Sequence, residues 1–435
     1  MELQNVVIVD AARSAYTRGG RGSFVGNRID DLGAEVVRAL LARNPKISPR
    51  MIEDVGLGQV GNASELSGIG ADQVIKLAGF PPEVTTFETN RQCGSSMETM
   101  HRVAQAIMVG AIDTGMSIGI ERMGRTLGGG GGAREENRIT KFNEKRLQLT
   151  DEQRNLPPDH FENFSRAIPD FILDAPAVTS MVQTAQNVAE MYDLTREDMD
   201  QFAVESHRKY GEAFEKGVYK DEIIPLEVDT PVFDDQGAWV PDEVGEKKVV
   251  AMDEGYRAGT NLETLGQLKT VAGIQSYGDQ ELRITAGNSC PTNDGISVIL
   301  LMNEKKALEL GLEPLGRIIG FGVAGVKPQI MGLGPIPATK KALAHAGIEA
   351  GQIDRVEFNE AFAAQVIPSI ADLGIDMAGV NVNGGSLAIG HPLGSTGARL
   401  VGTVARELQR SGTKYGLATQ CIGAGMGIST VIEAM

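Results

Sequence analysis

Three cysteines are spread along the 435-residue chain, and two of them stand where a thiol can do chemistry. Cys93 lies in Asn90-Arg91-Gln92-Cys93-Gly94-Ser95-Ser96, directly before residues whose apolar members Met97, Met100, Ala104, Ile107 and Met108 share one helical face. At a helix N-terminus the positive end of the dipole favours the thiolate, which is the nucleophilic form. The small residues after it let a carbonyl carbon approach; the competing reading is a thiol buried for structure. Cys421 opens Cys421-Ile422-Gly423-Ala424-Gly425-Met426-Gly427, after the apolar run Tyr415 to Ala418. A thiol at a strand end can shuttle a proton, while the glycines expose backbone N–H groups for an oxyanion. Here too a buried thiol in a glycine-rich turn is the plainer alternative.

His391 sits in Gly390-His391-Pro392-Leu393-Gly394, inside the longer loop Asn383 to Gly397. Glycines on both sides remove bulk and Pro392 stiffens the turn, surroundings that a base touching a substrate needs and a packed core histidine does not. Asn359-Glu360-Ala361-Phe362 follows the strand-like Val356 to Phe358 and puts polar groups at a strand end, where they also serve as caps. Gly115-Met116-Ser117-Ile118-Gly119 has the spacing of a hydrolase nucleophile turn, but no helix pattern follows it. The glycines at 423, 425 and 427 miss the dinucleotide spacing, and no phosphate-binding loop ends in Gly-Lys-Ser or Gly-Lys-Thr. The five histidines are widely separated and no Cys-x-x-Cys occurs, so the sequence predicts no metal site.

The elements that hold these residues read as alternating strands and helices. Val6 to Val9, Gly115 to Ile120, Gly316 to Phe321 and Val356 to Phe358 are strand-like; Thr339 to His345 and Ala398 to Leu408 are helical. The pattern starts afresh near Pro314, which predicts an α/β fold of two similar halves. Between the halves, Met181 onward and the stretch capped by Thr195 are helical. A glycine run (128–132) and a charge-dense stretch (133–155) precede them. With 42% apolar and 23% charged residues the composition is that of globular protein, and the charge of −16 argues against a nucleic-acid or anionic-membrane partner. The stretch Val103 to Ile120 is too broken by glycines and Asp113 to span a membrane. Isolated cysteines and an opening without basic residues predict a cytoplasmic protein with free thiols.

Taken in order, the Cys93, Asn359, His391 and Cys421 blocks resemble the signature blocks of thiolases. Val9 to Ser14, Ala189 to Glu205 and Thr285 to Gly295 also resemble thiolase segments, so the resemblance spans nearly the whole chain. It implies the thiolase fold: two α/β halves in an α-β-α-β-α arrangement with an inserted loop domain. Residues 1–121 would form the first half, completed by 293–313; 122–292 would form the loop domain that binds coenzyme A, and 314–435 the second half. The implied activity is reversible condensation of acetyl-CoA or thiolysis of a 3-ketoacyl-CoA. Cys93 would carry the acyl group, His391 would deprotonate it, and Cys421 would move the α-proton. Asn359 with His391 would form one oxyanion hole, and the N–H groups of Cys93 and Gly423 the other.

By matching positions, Met181, Arg257, Thr264 and Cys290 are expected to contact substrate or coenzyme A, and Phe362 to narrow the acyl end. The chain departs from the family at Ser180-Met181-Val182, where His-Met-Gly is common. It departs again at Ser289-Cys290-Pro291, where short-chain members have Ala-Ser-Gly. Short acyl groups are favoured by the bulk of Met181 and Phe362, with a medium- or long-chain thiolase of fatty-acid β-oxidation as the alternative. A non-catalytic acyl-CoA-binding protein and a hydrolase using Ser117 are the readings from other classes. The resemblance further implies no cofactor, coenzyme A thioesters being substrates, and a homodimer or homotetramer.

Overall fold

The computed structural model describes residues 3–61, 64–126, 164–173, 175, 179–278 and 280–435. The glycine run, the charged stretch after it and Asn62 fall outside the described residues. The first strands are Val6–Ser14 (β1), Thr17–Arg18 (β2), Asp54–Gly58 (β3), Thr85–Thr89 (β4) and Thr114–Arg122 (β5). Ile223–Ile224 (β6), Leu226–Phe233 (β7) and Trp239–Val250 (β8) follow. Asn293–Asn303 (β9), Gly316–Gly325 (β10), Arg355–Phe358 (β11), Tyr415–Ile422 (β12) and Met426–Glu433 (β13) complete the described set.

The strand order β4-β3-β5-β9-β1-β10-β13-β12-β11 contains the same arrangement twice. β1 pairs antiparallel with β9, β9 antiparallel with β5, and β5 parallel with β3. In the second half β10 pairs antiparallel with β13, β13 antiparallel with β12, and β12 parallel with β11. The parallel β3–β4 pair of the first half is reduced in the second to one parallel bridge, Val356 to Val380. The duplication expected from the restarted pattern is therefore a duplication of topology. The two sheets meet where Val6–Ile8 of β1 pairs with Gly316–Ile318 of β10.

Alternate residues of β1 show how the layers stack, because successive side chains leave opposite faces of a strand. Val6 and Ile8 join an apolar core with the helices Ser95–Met108 and Leu393–Ser411, from which Met97, Met100, Val401 and Val404 project. Ile428 and Ile432 of β13 close the same core from the second sheet. Val7 and Val9 face the other way, onto the helix Ile29–Arg43. On the far side Leu417 and Val431 pack against the helices Pro335–Ala346 and Ala363–Leu373. The result is helix, sheet, paired central helices, sheet, helix. β5 and β9 are buried along their whole length, as strands covered on both faces must be.

Between β5 and β9 the chain makes the helices Met181–Met191 and Arg196–Glu215 and the antiparallel pair β7–β8. Thr195 caps the second helix as expected, in a reciprocal box with Asp198. The central helix of the second half begins at Leu393, earlier than its apolar face, because its first turn carries glycines for contact rather than side chains for burial. A Cβ on Gly397 would stand 2.6 Å from the Met97 backbone nitrogen, and one on Gly394 2.7 Å from Gln59 Cα. These two glycines let the helix start touch the Cys93 helix and the end of β3.

Candidate active site

Both central helices point their N-termini at the same place. The turn before Ser95 holds Cys93, and the loop before Leu393 holds His391. Gln92 takes a left-handed backbone conformation with φ of 48°, unusual for a residue with a side chain, which marks a tight turn into the helix. Ser95 ties that turn down: its hydroxyl donates to Gln92 O at 2.6 Å and accepts from the Arg91 N–H at 3.0 Å. A Cβ on Gly94 would come within 2.6 Å of Ile422 Cδ1, so glycine there lets the turn lie against the end of β12. Gln420 of β12 donates to the Cys93 carbonyl at 2.7 Å.

The backbone N–H of Gly423 and that of Cys93 itself are both directed at the Cys93 sulfur. Burial nevertheless outweighs them and pushes the thiol up to about 11. The thiolate expected from the helix dipole is thus not the resting form, and Cys93 needs a base. Cys421, the penultimate residue of β12, is buried, and its thiol too is pushed up by burial and then by the neighbouring Cys93. Cys290 shares this environment: burial and then Cys93 raise it to about 12. Its N–H donates to Ala361 O at 2.9 Å, and the Ala363 N–H donates to Asn288 O at 3.0 Å, so its segment pairs with the one carrying Phe362. Phe362 lies in an apolar cluster with Cys421, Met331 and Leu387.

His391 is buried, which, with Arg399 nearby, lowers its pKa to about 3 and keeps the imidazole neutral. Its tautomer follows from its neighbours. Thr396 Oγ1 donates to Pro392 O at 2.9 Å, so it accepts from His391 Nδ1–H, 2.7 Å away. Nε2 is then the acceptor, and Asn359 Nδ2 donates to it at 3.3 Å. The amide of Asn359 is oriented in turn by Ser386, whose hydroxyl donates to Oδ1 at 2.6 Å while accepting from Arg399 Nη2 at 2.9 Å. Arg399 is anchored by Glu357 at 2.6 Å, a carboxyl that burial raises to about 8 against the opposing pull of that cation. Gln365, on the first turn of Ala363–Leu373, donates to Cys421 Sγ at 3.3 Å and to Asn359 O at 3.0 Å.

The structure brings Cys93, Cys290, Cys421, Asn359, Phe362, His391 and the Gly423 N–H together. Arg257 and Thr264 line a cleft of about 590 Å³ whose inner wall includes Ser289, Pro291 and Leu387, neighbours of this group. Met181 stands apart from that cleft, 39% exposed at the start of its helix. Arg18 and Arg21 also line the cleft and went unpredicted, although Arg18-Gly19-Gly20-Arg21 is a legible basic glycine turn. Gln365, Ser386, Thr396 and Arg399 were missed because each acts through a bond to another side chain, which no local motif encodes. Ser117 is fully buried within β5, bonded to Thr99 and to Ser96 O, and is no nucleophile. Among the described residues no group of three or more His, Cys, Asp or Glu side chains is placed for a metal ion, and no helix is long and apolar enough to cross a membrane.

Known proteins resemble this chain over nearly its whole length. The family model for the thiolase N-terminal domain matches residues 6–305, and that for the thiolase C-terminal domain matches 312–434. A 3-ketoacyl-CoA thiolase of Aliivibrio fischeri is 36% identical over 434 residues, covering 99% of this chain and 100% of its own. An acetyl-CoA acetyltransferase of Allochromatium vinosum is 38% identical over 439 residues with coverage of 99% and 100%. The crystal structure of the Bacillus anthracis acetyl-CoA acetyltransferase superposes with a TM-score of 0.81 at 31% identity. That of human mitochondrial 3-ketoacyl-CoA thiolase superposes with a TM-score of 0.79 at 30% identity, and both structures cover 100% of each chain. The fold is the thiolase fold, and the chain belongs to the thiolase family.

Proposed function

We propose that the protein is an acyltransferase that condenses acetyl-CoA with an acyl unit held on Cys93, and in reverse cleaves a 3-ketoacyl-CoA with coenzyme A. One observation carries the role assignment: the N–H of Gly423, from the second half, acts on the Cys93 sulfur while an oriented, neutral His391 stands beside Asn359. His391 Nε2 takes the Cys93 proton as the sulfur attacks the thioester carbonyl. The N–H groups of Cys93 and Gly423 hold the resulting oxyanion. When the carbonyl re-forms, coenzyme A leaves as a thiolate and takes the proton of Cys421. The imidazolium and the Cys421 thiolate then balance each other. The thiolate removes an α-proton from a second acetyl-CoA, and Asn359 with His391 holds the enolate oxygen. The enolate carbon attacks the acyl-Cys93 carbonyl, the C–C bond forms and the C–S bond breaks. His391 returns its proton to the released Cys93, and no cofactor enters any step.

Residues 122–292 are proposed as the loop domain that holds coenzyme A, with Arg257 and Thr264 beside Arg18 and Arg21 of the first half. Four such side chains supply the cationic and polar groups that phosphates need on a chain of net charge −16. Cys290, beside Cys93, is proposed as a further contact, and Met181, which stands apart from the cleft, is proposed on the resemblance alone. Short acyl groups, acetyl and acetoacetyl, are the proposed substrates, supported by Phe362 in the cluster around Cys421. A cytoplasmic setting fits chemistry that needs free thiols, and cell fractionation reads it directly. A homodimer or homotetramer is proposed because β4 ends the sheet with one edge unpaired by any described strand. Light scattering showing a monomer at micromolar concentration would count against it.

The roles are tested with radiolabelled acetyl-CoA. Cys93→Ala should take up no label, whereas Cys421→Ala should become acetylated and fail to form acetoacetyl-CoA. The opposite pattern would reverse the two thiols.

A further inference from the structure

We infer that Gln365 is a positioning residue for the Cys421 base, its amide N–H holding the sulfur ready to carry negative charge. The orientation of the amide is fixed independently of the sulfur. Asn359 O is a backbone carbonyl and only accepts, so the group 3.0 Å from it must be the nitrogen of Gln365. That nitrogen has a second hydrogen, and Cys421 Sγ lies 3.3 Å from it. One buried amide thereby spans the two groups that handle the nucleophilic acetyl unit: the base and the asparagine of the enolate's oxyanion hole. Its Oε1 is buried and has no hydrogen-bond partner, so the amide is held by its nitrogen alone.

The surroundings are shaped to keep it there. Gln365 occupies the first turn of its helix, and its own N–H is tied to Phe362 O at 3.2 Å. Across from it a Cβ on Gly332 would stand 2.8 Å from Gln365 Cβ, so only glycine leaves this side chain its place. The titratable groups facing Cys421 are Cys93 and Cys290, both thiols that raise its proton affinity. The Gln365 N–H is the side-chain donor acting on that sulfur, beside the positive charge that His391 carries once it has taken the Cys93 proton. A hydrogen bond to the charged form favours that form, so this donor opposes burial at the moment Cys421 loses its proton.

The inference rests on the assignment of Cys421 as the acid–base thiol, and the test separates the two. Gln365→Met keeps the volume and removes the N–H. Two half-reactions are followed: acetylation of Cys93 by labelled acetyl-CoA, and exchange of the acetyl methyl hydrogens of acetyl-CoA with solvent deuterium. Gln365→Met should acetylate within about twofold of wild type, since coenzyme A can leave as a thiolate before it is protonated. It should exchange about tenfold more slowly, the scale of one hydrogen bond to a charged group. The pH at which exchange reaches half its maximum should rise by about one unit. Gly332→Ala, which displaces the amide without deleting it, should show the same imbalance in smaller measure and covers a Met variant that fails to fold. Equal loss in both half-reactions would make Gln365 merely structural and overturn the inference, as would wild-type exchange in both variants. If Cys421→Ala itself still exchanges, the assignment of the base falls, and with it this inference.

Discussion

Ser386 offers the sharpest probe of how the site is held, because its only visible task is to orient Asn359. In Ser386→Ala the Asn359 Oδ1 loses its 2.6 Å donor and Arg399 Nη2 loses an acceptor at 2.9 Å, both in the buried interior. Each of these two polar groups left buried and unpaired costs about 1–3 kcal/mol, so stability should fall by about 2–6 kcal/mol, read as a shift in denaturant midpoint. Catalysis should fall by about tenfold in condensation, less than the hundredfold or more expected for deleting an oxyanion donor outright, since Asn359 Nδ2 is still present but poorly anchored. Acetylation of Cys93 should change little, because that step uses the other oxyanion hole. The decisive comparison is a double-mutant cycle with Asn359→Ala. If Ser386 acts only through Asn359, adding Ser386→Ala to Asn359→Ala costs no further activity. Additive losses, or equal losses in both half-reactions, would refute the relay from Arg399 through Ser386 to Asn359.

Two further outcomes follow from burial. His391 and His101 titrate at about 3 and His207 at about 4 in the folded chain, burial being the main cause, against the usual 6.5. Below pH 6.5 the unfolded chain binds protons that the folded chain refuses, so stability falls as pH falls, by about 2 kcal/mol for each histidine at pH 5. His101→Gln should narrow the gap in unfolding midpoint between pH 7.5 and pH 5, and an unchanged gap would refute this. For chain length, kcat/KM for thiolysis of acetoacetyl-CoA should exceed that for 3-ketodecanoyl-CoA, and Phe362→Ala should shift the ratio toward the longer substrate. A tenfold preference of the unaltered protein for the longer substrate, about 1.4 kcal/mol in transition-state binding, would overturn the short-chain proposal.

What the sequence displayed and what it hid divide along a physical line. Cys93, His391 and Cys421 were legible because each sits in a run of glycines and small residues whose only local purpose is to let backbone come close. The structure supplies the reason at Gly94, Gly394 and Gly397, where a Cβ would collide with the other half of the molecule. The repeat between halves was faint in sequence because equivalent positions do different work. By strand pairing and by the face each side chain leaves, Asp54 and Gly115 correspond to Arg355 and Gly416, which makes Gly58 the counterpart of Asn359 and Ile120 the counterpart of Cys421. A Cβ on Gly58 would stand 2.4 Å from the Ser96 nitrogen, and Ile120 packs in the apolar core of the first half. One copy of each pair thus packs the scaffold together, and the other is left beside the site. A position that serves packing and one that serves proton transfer demand different side chains. That difference erased the repeat in sequence while the pairing of strands preserved it.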